Sequence, residues 1–240
     1  MTSGTKTTSR PRAATKPPLE SRHIVAEALG TGLLVATVVG SGVMGQALAP
    51  GQVLLQLLCN AFATIAVLGV LISVLGPVSG AHFNPAVTLA DAVAGNRSWT
   101  SAGAYIAAQV VGGCLGTILA HAMFGQALVQ WTGQQRTGVG LLIGEVVATA
   151  GLLLVIRMLV GSGRAHLVAA FVPAWILGAY FLTSSTSFAN PAVTVGRALT
   201  GSFAGISPSS VLPFIAAQLV GAAIGVGLAA ILLPSTEESA

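Results

Sequence analysis

Acidic residues are almost missing from this chain. Its 240 residues include six: Glu20, Glu27, Asp91, Glu145, Glu237 and Glu238. Charged residues of both signs make up only 7%. A soluble domain carries roughly a quarter, so a water-facing globular body is excluded. Cysteine is equally scarce. Cys59 and Cys114 stand inside apolar segments without metal-ligand spacing, which points to packing residues and not to a disulfide framework or a metal centre. No nucleophile–base or metal-ligand constellation appears, so neither an enzyme nor a cofactor is expected. Residues 1–21 lack an apolar run and do not read as a cleavable signal peptide.

What is present is apolar: 54% of residues are hydrophobic and 30 are glycine. A helix needs about 20 apolar residues to cross a hydrocarbon core of about 30 Å. Six such spans read near 24–48, 53–75, 100–123, 139–160, 166–184 and 209–233. The chain is therefore expected to be an all-α polytopic membrane protein. Residues 1–22 form a basic, disordered arm, 23–234 the membrane domain, with halves of about 23–125 and 138–234, and 235–240 a short tail. The net charge of +4 is concentrated in the arm, at Lys6, Arg10, Arg12, Lys16 and Arg22. The positive-inside rule accounts for those bases, so no nucleic-acid partner is expected. With the N-terminus in the cytoplasm, Arg97, Arg157 and Arg164 join them, and only Arg136 and Arg197 fall outside. That bias places both termini in the cytoplasm.

Two stretches are apolar but too short to cross. "SGAHFNPAVTLADAVAG" (79–95) and "TSFANPAVTVGRALTG" (186–201) both contain Asn-Pro-Ala-Val-Thr, with Gly95 and Gly201 eleven positions after the asparagine. Asparagine is a good helix N-cap, proline suits the first helical turn, and glycine suits the left-handed residue that ends a helix. Eleven residues at about 1.5 Å each reach halfway through a membrane. The expected elements are two re-entrant half-helices. Asn84 and Asn190 stand 106 residues apart, Gln109 and Gln218 109, and Glu27 and Glu145 118. Three spans per half invert the halves, so this is an inverted repeat. The half-helices then meet by their N-termini at the midplane, where each end carries about half a positive charge and repels cations. The asparagines are either caps alone, or caps that also turn their NH₂ groups into a lumen.

Paired Asn-Pro-Ala motifs, "SGAHFNPAVT", glutamates in the first and fourth spans and glutamines in the third and sixth resemble the aquaporin, or major intrinsic protein, family. The resemblance covers about residues 22–234. It implies six tilted helices plus two half-helices around a narrow pore, four subunits per assembly in the cell (inner) membrane, and passive permeation of water or small neutral solutes. Asn84, Pro85, Ala86, Asn190, Pro191 and Ala192 form its pore motifs. The position where most members carry the filter arginine is Val193. Counting from the motifs, Thr64, Gly178 and Ser187 complete a wide, uncharged filter.

Such a ring is most like that of bacterial aquaporins associated with arsenic resistance. It implies passage of glycerol, urea, arsenite, antimonite or organic arsenicals; a water-dedicated channel is the alternative within the family. Arg197, and Asp91 in the other half, are expected as solvated charges near helix exits, with Arg197 toward the outer vestibule. His82 packs its loop or lines the cytoplasmic vestibule. Glu27 and Glu145 are intramembrane carboxylates. They are expected to accept hydrogen bonds from the re-entrant loops; the rival reading is a proton-coupled transporter.

Overall fold

The computed structural model describes residues 19–233, so the basic arm over 1–18 and the tail after 233 lie outside the described residues. Eight α-helices follow in order: α1 (Ser21–Leu48), α2 (Val53–Ser79), α3 (Pro85–Val93), α4 (Trp99–Met123), α5 (Val139–Gly161), α6 (Val168–Leu182), α7 (Pro191–Arg197) and α8 (Pro208–Leu232). A single 3₁₀ turn, Ala165–Leu167, leads into α6. Six of these are long and apolar enough to cross a membrane, that of α6 counted with its 3₁₀ turn. α1 begins at Ser21, inside the span expected to be a disordered arm. Six crossings return the chain to the face it began on, here the terminal face; the other is the far face.

Polarity runs opposite to that of a soluble protein. Large apolar side chains such as Leu54, Phe62, Val74, Phe171, Leu212 and Ile231 are exposed, whereas Glu27, Gln109, His121, Glu145 and Gln218 are fully buried. Hydrocarbon solvates the former and offers the latter no hydrogen bonds, so polar groups gather inside.

Packing follows the repeat. α1 lies on α4 and α5 on α8, each pair at backbone contact. A Cβ at Gly112 would collide with the Ala28 carbonyl and one at Gly116 with that of Gly32. Gly221 and Gly225, at the 109-residue offset of the two glutamines, stand likewise against Val146 and Ala150. Small residues let membrane helices approach this closely, where dispersion replaces a hydrophobic driving force.

The short helices α3 and α7 touch each other in the interior. Asn84 and Asn190 are their N-caps, each Oδ1 accepting from the N–H of the alanine two residues on at 2.9 Å. The ends differ from expectation at one site. Gly95 adopts φ +81° just past α3. α7, however, stops at Arg197, and Gly201 is not left-handed. Gly201 is required for proximity, since a Cβ there would strike the Thr132 hydroxyl.

Candidate functional site: a cavity between two half-helices

The turns ahead of α3 and α7 are built alike. Non-glycine residues take positive φ three and one positions before each asparagine: Ala81 (49°) and Phe83 (48°), Ser187 (51°) and Ala189 (49°). Such backbone is unfavourable for residues with a Cβ and persists only when its surroundings impose it. Here two carboxylates impose it. Glu27 accepts from the N–H groups of His82 at 3.0 Å and Phe83 at 2.7 Å, from the Ser79 hydroxyl at 2.7 Å and from Gln109 Nε2 at 2.8 Å. Glu145 accepts from the N–H groups of Phe188 and Ala189, both at 2.9 Å, and from Gln218 Nε2 at 2.6 Å. Each glutamine also donates to a threonine one turn into its half-helix, Gln109 to Thr88 at 2.9 Å and Gln218 to Thr194 at 2.8 Å.

The asparagines do more than cap. Asn84 Nδ2 donates to the Ala189 carbonyl and Asn190 Nδ2 to the Phe83 carbonyl, both at 2.8 Å. One N–H of each amide therefore braces the opposite turn. The other makes no hydrogen bond to the described residues, and both asparagines line a cavity.

That cavity has a volume of about 740 Å³ and runs from the terminal face past both asparagines to Arg197. At its terminal end His82 Nδ1 lies 3.1 Å from Thr88 Oγ1, and its Nε2 lies 3.8 Å from Asp91. Asp91 also accepts from Arg97 at 3.3 Å, so it is held in a cluster and is not a lone solvated charge. At the far end Thr64, Ser187 and Val193 line the wall, and the Ser187 hydroxyl, though buried, has no partner among the described residues.

Two expectations at this end are corrected. Gly178 lies on the outward arc of α6 with Phe171 and Phe181, exposed and absent from the cavity wall. It sits about 200° around the helix from the lumen-facing Ile176. Tyr180, ten residues before Asn190, lines the cavity instead, its hydroxyl donating toward Asn60 at 3.0 Å and Thr64 at 3.3 Å. Tyr180 therefore puts a phenol on the cavity wall where the sequence reading put a glycine.

Arg197 is the second correction. It is 2% exposed, not solvated. Its Nε donates to the Ala204 carbonyl, and its guanidinium lies 3.4 Å from the centroid of the Phe188 ring. Phe188 is itself held edge-on by Phe214 of α8, centroids 5.3 Å apart. Arg136, from the loop between α4 and α5, reaches the same ring at 4.9 Å. Burial lowers its pKa below the ordinary arginine value, an effect opposed by Glu145 and Tyr180. Sequence reasoning gave Tyr180 and Phe188 no role and Arg136 only a place in the topology count. An aromatic two residues before the second motif was the available signal for Phe188.

Two capped half-helices converging on a cavity, inside six spanning helices related by an inverted repeat, define a membrane channel without chemistry of its own. Similarity to known proteins makes the class specific: residues 14–189 match the family described as Major intrinsic protein, and the chain belongs to that family of passive channels. It is 46% identical to an aquaglyceroporin, AqpS, of Rhizobium meliloti over 87% of this chain and 88% of that one. It is 34% identical to aquaporin NIP1-1 of Zea mays over 85% and 72%. An X-ray structure of the aquaglyceroporin from Plasmodium falciparum shares the fold, with a TM-score of 0.65 and 21% identity over 87% of this chain and 93% of that one.

Proposed function

We propose that this chain conducts water and small uncharged solutes, namely glycerol, urea and the neutral hydroxides of arsenic and antimony, through the cavity between α3 and α7. The observation that carries this reading is the convergence of both half-helix N-termini, with Asn84 and Asn190, on one cavity wall. Cations meet two positive helix ends there, while a neutral hydroxyl meets one free N–H from each asparagine. Thr64, Tyr180, Ser187 and Val193 would set the width. The uncharged Val193 suits a polyol better than a channel restricted to water. The name of the Rhizobium meliloti relative, an aquaglyceroporin, supports the same choice.

A proton-coupled transporter fits less well. Glu27 and Glu145 are fully buried, absent from the cavity wall and occupied by four and three donors. We place the terminal face in the cytoplasm of a cell bounded by this inner membrane, on the Lys/Arg bias of the loops. Four copies would assemble, as the family resemblance implies. The test is stopped-flow light scattering on liposomes carrying the purified protein. Glycerol and water uptake should be non-saturating, independent of a pH gradient and low in activation energy. Saturation together with a requirement for a pH gradient would establish the transporter, and uptake of water alone would establish the water-dedicated channel.

A further inference from the structure

Arg197 is held at both its backbone and its side chain. Ile206 N–H donates to the Arg197 carbonyl at 3.2 Å, and Arg197 Nε donates to the Ala204 carbonyl. The guanidinium then rests 3.4 Å from the centroid of the Phe188 ring. A cation over an aromatic face is attracted by the ring quadrupole, the more so where water is excluded, and Arg197 is buried. Phe188 is itself fixed. Its N–H donates to Glu145 at 2.9 Å, Phe214 meets it edge-on, and Arg136 reaches it from the loop after α4.

The first half repeats this arrangement with other residues. His82 and Phe188 both stand two positions before their motif asparagine, and Asp91 and Arg197 both seven after it. His82 meets Tyr105 edge-on, centroids 5.7 Å apart, as Phe188 meets Phe214, and its Nε2 lies 3.8 Å from Asp91. In each half the charged residue of the last half-helical turn therefore lies beside the aromatic ring two positions before the cap. The halves differ in reach. Arg197 is long, and side chains on a helix tilt toward its N-terminus, which for α7 is the midplane. Val193 lies one turn inward on the same helix, and both residues border the cavity. Four residues at about 1.5 Å each set the two positions about 6 Å apart along the axis. An arginine released from the ring would lean to the level of Val193 and put a charge where the wall carries none.

We propose that Phe188 is a positioning residue for solute selectivity: its ring keeps the Arg197 guanidinium on the wall, so that the level of Val193 stays uncharged and open to solutes larger than water. The effect on solutes rests on the channel reading above; the hold on Arg197 does not. The hold is tested in detergent at neutral pH with methylglyoxal, a small dicarbonyl that modifies free guanidinium groups, and mass spectrometry of the modified peptides. Phe188→Leu keeps an apolar side chain and loses the aromatic face. Arg197 should react about fivefold or more faster in Phe188→Leu than in wild type, while the exposed Arg22 reacts equally in both. Equal rates at Arg197 overturn the hold.

In liposomes the ratio of glycerol to water uptake should fall about threefold or more in Phe188→Leu, and return to the wild-type ratio when Arg197→Leu is added to it. A merely structural loss would lower both fluxes together and would not be rescued by the second substitution. An unchanged ratio in Phe188→Leu, or no rescue, overturns the role in selectivity. Arg197→Leu alone should change the ratio by less than about twofold, since the arginine is already out of the way. A severalfold rise there would put Arg197 in the path of wild type and overturn the proposal, even if Phe188→Leu does not fold. Wild type that passes no glycerol would overturn the channel reading, while the labelling still decides whether Phe188 holds Arg197.

Discussion

Asn84 and Asn190 each hold the turn that presents the other: Asn84 Nδ2 donates to the carbonyl just before Asn190, and Asn190 Nδ2 to the carbonyl just before Asn84, both at 2.8 Å. Neither half-helix is then positioned alone, and the junction of the two repeats is a reciprocal pair of hydrogen bonds in the interior. Buried donors and acceptors without partners are costly, so the pair fixes the two N-termini relative to each other.

Replacing Asn190 with Asp tests this junction. A carboxylate still caps α7 but cannot donate to the Phe83 carbonyl, and it adds a negative charge where two helix ends repel cations. The brace is worth about 1 kcal/mol, so the protein should fold with a modestly lower melting temperature. Glycerol flux should fall moderately and sodium conductance should rise in bilayer recordings. Sodium conductance equal to wild type would remove the paired-dipole barrier from the account.

The glutamates should be more sensitive to shortening than to neutralisation. Glu145→Gln retains an acceptor for one loop N–H, so most flux should survive. Glu145→Ala leaves the N–H groups of Phe188 and Ala189 and the amide of Gln218 without their partner, at about 1–3 kcal/mol for each buried group. Folded yield, read as the monodisperse fraction in size-exclusion chromatography, should drop sharply for Ala and little for Gln. Well-folded Gln protein without flux would instead give the carboxylate a proton role.

Legibility of the site in the sequence follows from how local its signals are. The half-helices, their caps and the loop-holding glutamates were readable because each appears twice at nearly constant offset, and because capping chemistry acts within a few residues; the glutamines were readable as repeat markers and not as partners of the glutamates. The filter was less readable. Counting back from Asn190 assumes a fixed loop length, and α6 ends so that Tyr180, not Gly178, turns toward Thr64. Arg197 looked solvated because a charged residue near a helix end usually is. Its burial depends on Phe188, the Ala204 carbonyl and a strapped loop from the other half. None of these is adjacent in the pattern. Gly201 looked like a helix terminator for the same local reason, whereas its small size makes room for Thr132 of the loop after α4.

Tyr180 gives a direct check on the corrected filter. Tyr180→Ala should widen the far end of the cavity and raise glycerol flux relative to water flux several-fold, since pore diameter and lining donors decide passage. Tyr180→Phe keeps the ring and loses the hydroxyl contacts to Asn60 and Thr64, at about 1 kcal/mol, with selectivity little changed. Gly178→Ala, on the outward arc, should leave both fluxes at wild-type values. If Gly178→Ala changes the glycerol-to-water ratio and Tyr180→Ala does not, α6 presents the opposite face to the lumen.

Val193→Arg is the sharpest test of solute class. Val193 is buried at the cavity wall, one turn from Arg197 on α7. An arginine there adds a long side chain and a second fixed cation on the same helix face. Water can pass beside it, whereas a molecule the size of glycerol or arsenious acid must displace it. The two guanidiniums also repel each other, which pushes the new one into the lumen. Glycerol and arsenite flux should fall by about an order of magnitude relative to water, the effect of a barrier higher by about 1.4 kcal/mol. Stopped-flow measurements on liposomes with wild type and Val193→Arg, comparing all three solutes, read this directly. Equal loss of all three fluxes would mean that the side chain blocks the pore outright or that Val193 lies away from the constriction. A folded variant that passes glycerol as fast as wild type would place the narrowest point elsewhere, at the level of Tyr180 or the asparagines.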